Sequence, residues 1–173
     1  MADAATSPEL DDPVIAIGVL AQKTGLSPSA LRRYETEGLL IPHRTGSGQR
    51  LFSHEDVRRV RNIQRLIQEL GLNVEGIRRM QALLPCWELH RCTAETRSRC
   101  PAYGANARPC WMTPGLDCAQ GGQACRQCVV YRFGSLCTED IKRLIKQRGD
   151  PRETGAVVED LMKLKGLSQQ EER

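Results

Sequence analysis

The chemistry of this chain is concentrated in its cysteines. All eight of them, Cys86, Cys92, Cys100, Cys110, Cys118, Cys125, Cys128 and Cys137, fall within 52 of its 173 residues. Thiolates ligate zinc and iron–sulfur clusters, and eight would fill two four-cysteine sites of either kind. The order is Cys86-x5-Cys92-x7-Cys100-x9-Cys110-x7-Cys118-x6-Cys125-x2-Cys128-x8-Cys137. Only Cys125-Arg-Gln-Cys128 has the tight spacing of a metal knuckle, so the pattern is not a standard zinc finger or ribbon. Arg91, Arg99, Arg108, Arg126 and Arg132 are interleaved with the thiols, where nearby cations would lower thiol pKa values. His90 lies between Cys86 and Cys92 and could replace a thiolate; a surface histidine is the other reading, as for His43 and His54. Two further uses of the cysteines stay open. One is purely structural zinc, stapling a module of about 50 residues that is too small to hold itself together. The other is free thiols or reversible disulfides, with CxxC serving redox exchange.

Pro-Cys-Trp occurs twice, as Pro85-Cys86-Trp87 and Pro109-Cys110-Trp111, which points to a duplicated small element. No Ser-His-Asp or Cys-His arrangement with supporting context is present, and no phosphate-cradling glycine loop; Gly121-Gly122 reads as a turn. A non-enzyme is therefore expected. The alternative from a different class is a thiol–disulfide or electron-transfer enzyme carrying a DNA-binding-like domain, with Cys125 and Cys128 as its active pair.

Composition bounds the rest. Hydrophobic residues make up 40% and charged residues 27%, with a mean hydropathy of −0.44, which is the balance of a globular chain with a modest core. No apolar stretch approaches the ~20 residues that span a bilayer. The N-terminal MADAATSPELDD is acidic and has neither the basic start nor the apolar stretch of a secretory signal, so a reducing, cytoplasmic setting is expected and disulfides are not. The net charge of +4 is unevenly spread: residues 1–12 carry four acids and no bases, whereas residues 13–81 carry 11 Lys+Arg against 6 Asp+Glu. A basic body behind an acidic tail fits a polyanionic partner.

The elements that must position these groups follow from local rules. Residues 1–13 read as a disordered acidic tail. Ile17, Leu20 and Ala21 lie at helical spacing, with Gly25 as a stop. Ser27-Pro28 then supplies an N-cap with proline at the first helical position. Leu31, Tyr34 and Leu39 continue the apolar side, and Gly38 can close the helix in the left-handed conformation. Two short helices around a glycine turn make a helix-turn-helix. The run HRTGSGQRLF reads as a hairpin or wing. Ser53 caps a third helix with Val57, Val60, Ile63, Leu66, Ile67 and Leu70 as its apolar stripe, and Gly71 ends it. Asn73 caps a fourth, carrying Val74, Ile77 and Met80. Residues 85–137 show no sustained helical period, and residues 138–173 return to helix-like patterning.

On this reading Ser29, Arg32 and Arg33 occupy the polar side of the second helix, which would enter the major groove of DNA. An arginine there can bond a guanine edge twice, while a phosphate contact holds position without reading sequence. Arg44 and Arg50 flank the wing and would meet neighbouring backbone.

The features Arg33-Tyr34-Glu35, Gly38-Leu39-Leu40, Pro42, Arg44, Arg50-Leu51-Phe52 and Glu55-Asp56-Val57 resemble the N-terminal domain of MerR-type transcription regulators over about residues 14–84. The later GLNVEGIRRM is similar to the heat-shock-repressor branch. The resemblance implies DNA contacts at Arg32, Arg33, Tyr34, Arg44 and Arg50. Tyr34 would place its hydroxyl on a phosphate or serve as simple core. It also implies control by distorting promoter DNA between its elements, an indirect route to RNA polymerase, or plain repression. Family members usually dimerise through a long helix. Pro85-Cys86 breaks the pattern before one can form, and residues 138–148 or 155–166 could substitute. Residues 85–131 resemble a cysteine-rich module with two Cys-Trp pairs found on bacterial signalling proteins, which implies a sensory or ligand-holding role. The expected architecture is mainly α: a winged helix-turn-helix at 14–84, a loop-rich cysteine-ligated module at 85–137 and a helical end at 138–173. The expected protein binds double-stranded promoter DNA as a homodimer.

Overall fold

The computed structural model describes residues 10–90, 92–104, 107–116, 118 and 123–134. The first nine residues, Arg91, the Gly121-Gly122 turn, Cys137 and the C-terminal segment 138–173 lie outside the described residues. Among those described, no helix is long and apolar enough to cross a membrane.

A short strand β1 (Ile15–Ala16) leads into α1 (Ile17–Thr24) and α2 (Pro28–Thr36). The turn between the helices is the one the sequence predicts. Gly25 closes α1 at φ 69°, where a side chain would be strained, and Ser27 Oγ accepts from the Ala30 N–H to cap α2. Strands β2 (His43–Arg44) and β3 (Arg50–Phe52) form the wing. Strand β1 joins them as a third, antiparallel member in the order β1-β3-β2, with Ile15 opposite Phe52 and Arg44 opposite Arg50. Two residues are too few to show alternation, so β1 carries no signal in the sequence.

Helix α3 (His54–Gln68) opens on a reciprocal capping box, Ser53 Oγ to the Asp56 N–H and Asp56 carboxylate to the Ser53 N–H. Its side chains also hold α1: Gln64 Nε2 and Arg61 Nη2 donate to the Thr24 and Lys23 carbonyls at 3.0 and 3.1 Å, taking acceptors the helix end leaves unsatisfied. Helix α4 (Val74–Ala82) is capped by Asn73. One apolar core joins these elements, built from thirteen buried residues that include Leu20, Leu31, Leu39, Leu40, Phe52, Val60, Ile63 and Ile77. Leu70 is not among them and is 48% exposed, because α3 ends before it.

Among the described residues beyond Leu84 the chain makes only short helical turns. These are α5 (Cys86–Leu89), α6 (Ala94–Arg99), a 3-10 turn at Cys110–Met112, α7 (Gln123–Gln127) and α8 (Val129–Phe133). The longest, α6, has six residues, so the missing helical period reflects helices too short to register one. Leu84, Leu89 and Val130 are the buried apolar core of this part.

Candidate nucleic-acid interface and cysteine centre

Helix α2 buries Leu31 and Tyr34 and leaves Ser29, Arg32 and Arg33 exposed on its other side. Ser29 Oγ lies 2.8 Å from the Ser27 Oγ that caps the helix. The wing is tied to the same helix by a residue that sequence reading noted only as part of a motif. The Glu35 carboxylate accepts from Arg44 Nη2 at 2.6 Å and from Arg50 Nε at 2.7 Å. Each guanidinium has five donors, so Arg44 and Arg50 keep N–H groups beyond those Glu35 takes, while Glu35 fixes their place. Tyr34 is 8% exposed and belongs to the core. Burial pushes its phenol above the ordinary value, and what remains open to a phosphate is a small edge of the side chain.

Seven of the eight cysteines converge. Cys86, Cys92, Cys100, Cys110, Cys118, Cys125 and Cys128 line a single cavity of about 30 Å³, together with His90, Trp111, Leu116, Val130 and Tyr131. None is in a disulfide. The volume is far below the several hundred Å³ of an organic-ligand pocket. Sulfur donors in apolar surroundings are the set that soft metals and iron–sulfur clusters take. The thiols ring the space without closing on one point: among the described residues no group of three His, Cys, Asp or Glu forms a single-ion site. The Cys110 thiol donates to Cys86, which holds the Cys86 thiol down at about 7 and raises its own.

The interleaved arginines do not lower Cys92, Cys118 or Cys128. Burial pushes Cys92 and Cys128 up and Cys118 up to about 11. Arg97 opposes the shift at Cys92 without overcoming it. Arg126 and Arg132 bond Asp56 and Asp11 respectively, and Arg99 pairs with Glu95; helix geometry, not sequence adjacency, decides where a cation points. Nor does CxxC look like an attacking pair, since Cys125 is 4% exposed and burial disfavours the Cys128 thiolate.

The two Pro-Cys-Trp elements are halves of a structural repeat. Trp87 meets Tyr103 edge-to-face at 5.0 Å, and Trp111 meets Tyr131 in the same way at 5.3 Å. Each tyrosine stands three residues after a cysteine, Cys100 or Cys128, a Cys-x-x-Tyr spacing that could have been read from the sequence.

The second half docks on the helix-turn-helix. Trp111 Nε1 donates to the Gly38 carbonyl at 2.9 Å, and the Ile41 N–H donates to Tyr131 Oη at 2.8 Å. Arg59 of α3 is buried between them, giving Nε to the Leu39 carbonyl at 2.7 Å and Nη1 to the Tyr131 carbonyl at 2.6 Å. Its guanidinium lies 3.7 Å from the Tyr131 ring centroid, a cation–π contact. Nearby, Arg126 Nη2 reaches buried Asp56 at 2.8 Å.

Comparison with known proteins agrees with the first half of this picture. The family described as MerR HTH family regulatory protein matches residues 15–84. A heat shock protein HspR of Streptomyces coelicolor is 38% identical over 95 residues, covering 55% of this chain and 59% of its own. The HTH-type transcriptional regulator GlnR of Bacillus anthracis is 38% identical over 68 residues, 39% of this chain and 52% of its own. The HTH-type transcriptional regulator HmrR of Rhizobium leguminosarum bv. viciae is 39% identical over 67 residues, 39% of this chain and 51% of its own. The chain thus spans a little over half the length of each of these three relatives. The capped helix pair and the three-stranded wing thus fill the stretch, residues 15–84, that matches the MerR HTH family of regulatory proteins.

Proposed function

We propose that this protein is a transcription regulator that reads double-stranded promoter DNA through α2 and the wing and carries a ligand-holding cysteine module. The observation that carries the DNA half is the Glu35 clamp. It joins the exposed face of α2 and the wing arginines into one continuous basic surface. Arg32 and Arg33, with Ser29, reach base edges; Arg44 and Arg50 hold phosphates, and Tyr34 contributes at most its edge. The protein acts as a homodimer on a two-fold site, in the cytoplasm, and influences RNA polymerase through the shape of the bound promoter. The names of its relatives support regulation over catalysis.

Two variants separate the roles. Arg33→Ala should weaken binding to the cognate promoter fragment by about 1–3 kcal/mol and relax specificity at one position. Arg44→Ala should weaken all sequences alike and lower the salt slope by about one. Fluorescence anisotropy across a salt series measures both. Unchanged affinity in Arg33→Ala would remove α2 from the interface.

The cysteine module holds a metal ion or an iron–sulfur cluster, with Cys86, Cys92, Cys100, Cys110, Cys118, Cys125, Cys128 and Cys137 as the donor set. The sulfur-lined cavity, too small for an organic effector, supports this. Anaerobic purification should yield either a brown protein with iron and sulfide or a colourless one with stoichiometric zinc. Protein with neither, and all thiols open to alkylation, overturns the metal half of the reading.

A further inference from the structure

We infer that Trp111 and Tyr131 are a relay through which the state of the cysteine cavity sets the position of the DNA-reading helix relative to the wing. The inference rests on the proposed function above and names how its two halves are coupled. Residues 38–41 lie in the chain between α2 and β2, and the second Cys-Trp unit grips them at both ends. The Trp111 indole takes the Gly38 carbonyl, and the Tyr131 hydroxyl takes the Ile41 amide. The Leu39 carbonyl between them goes to Arg59, whose guanidinium also bonds Tyr131. Met112 closes the grip from the same 3-10 turn: a Cβ at Gly38 would lie 2.7 Å from Met112 Cγ.

The other ends of the relay are sulfurs. Cys110 directly precedes Trp111, and Cys128 is the N-cap residue of α8, the helix that bears Tyr131. Both thiols line the cavity. Drawing them onto a ligand, or releasing them, must turn the 3-10 turn and the start of α8, and a packed interface passes such shifts on. The first repeat unit shows that docking is not what the Trp–Tyr pair needs in order to form. Trp87 and Tyr103 make the same edge-to-face contact with Tyr103 47% exposed. The second pair, with Tyr131 3% exposed and both polar groups spent on residues 38 and 41, is the specialised copy.

The test is a double-mutant cycle on the full chain. Promoter affinity is measured for wild type, Cys128→Ser, the double variant Trp111→Phe/Tyr131→Phe, and the triple variant. The phenylalanines keep a ring at each position and remove the Gly38 and Ile41 bonds. Cys128→Ser should change affinity by about 5-fold or more in the wild-type background and by less than about 2-fold in the Phe/Phe background. An equal change in both backgrounds overturns the relay, as does no change in wild type. Stripping metal with a chelator in the two backgrounds makes the same comparison should Cys128→Ser fail to fold. Hydrogen exchange of the Ile41 amide gives a readout that needs no DNA: perturbing the cavity should speed it in wild type and leave it unmoved in the Phe/Phe variant. Metal analysis of the same samples separates the failures. A metal-free wild type that still shows the cycle sinks the ligand reading and keeps the relay; a metal-loaded wild type without the cycle does the reverse.

Discussion

Arg126→Ala is expected to destabilise the protein by about 3–5 kcal/mol, because it leaves a buried carboxylate without its cation. Asp56 sits at the first turn of α3 with 4% exposure and accepts from the Ser53 N–H, the Ser53 hydroxyl and Arg126 Nη2. Alanine removes the only charged partner of the three while the other two keep the carboxylate where it is. Relocating Asp56 to water would break the capping box as well, so neither outcome is cheap. Urea denaturation should show the loss. The double variant Asp56→Asn/Arg126→Met should recover most of it, since an amide can still accept from Ser53 and no uncompensated charge is left inside. A loss below about 1 kcal/mol for the single variant would mean that the pair does not fasten the cysteine module to the helix-turn-helix domain.

That pair also shows where the sequence stops being readable. Asp56 follows a serine cap and reads as an acid complementing a helix dipole, which it is. Its second partner lies 70 residues further along, and no local rule reaches that far. Arg59 is a similar case: in an amphipathic helix an arginine reads as solvent-facing, yet this one is 2% exposed, with Nε and Nη1 bonded to the carbonyls of Leu39 and Tyr131. By contrast, Gly25, Ser27-Pro28, Gly38, Ser53 and Asn73 act on their own neighbours, so the helix boundaries they set were legible. The exposed face of α2 was legible for the same reason. The ion pairs of Glu35 were not, because they depend on how the wing folds back. Among the cysteines, spacing announced a sulfur-rich centre but favoured the adjacent Cys125 and Cys128. Cys86 and Cys110, which share a thiol–thiol hydrogen bond, occupy equivalent places in the two halves of the repeat.

The same repeat leads to the largest expected effect, removal of the metal that the thiols are proposed to hold. The helix-turn-helix domain has a core of thirteen buried residues, whereas the cysteine module has, among its described residues, a core cluster of Leu84, Leu89 and Val130 and turns of helix too short to stand alone. A unit of that size without a staple does not offset the entropy of ordering its chain. Where thiolates supply the staple, metal-binding free energy is folding free energy, about 10–16 kcal/mol for a structural zinc. Chelation under reducing conditions should therefore release the module and leave α1–α4 folded. Hydrogen exchange should show protection lost across α5, α7 and α8 and kept at Leu20, Leu31, Val60 and Ile63. Trp111, edge-on to Tyr131 and bonded to Gly38, should gain solvent exposure and shift its fluorescence to the red. Buried Arg59 and Asp56 would then face water, which removes the cost of their isolation and lets the two halves part. A module that keeps its protection after the metal is gone would show that Trp111, Tyr131, Arg59 and the Asp56–Arg126 pair hold it folded by themselves, and the thiols would then be ligands without a structural duty.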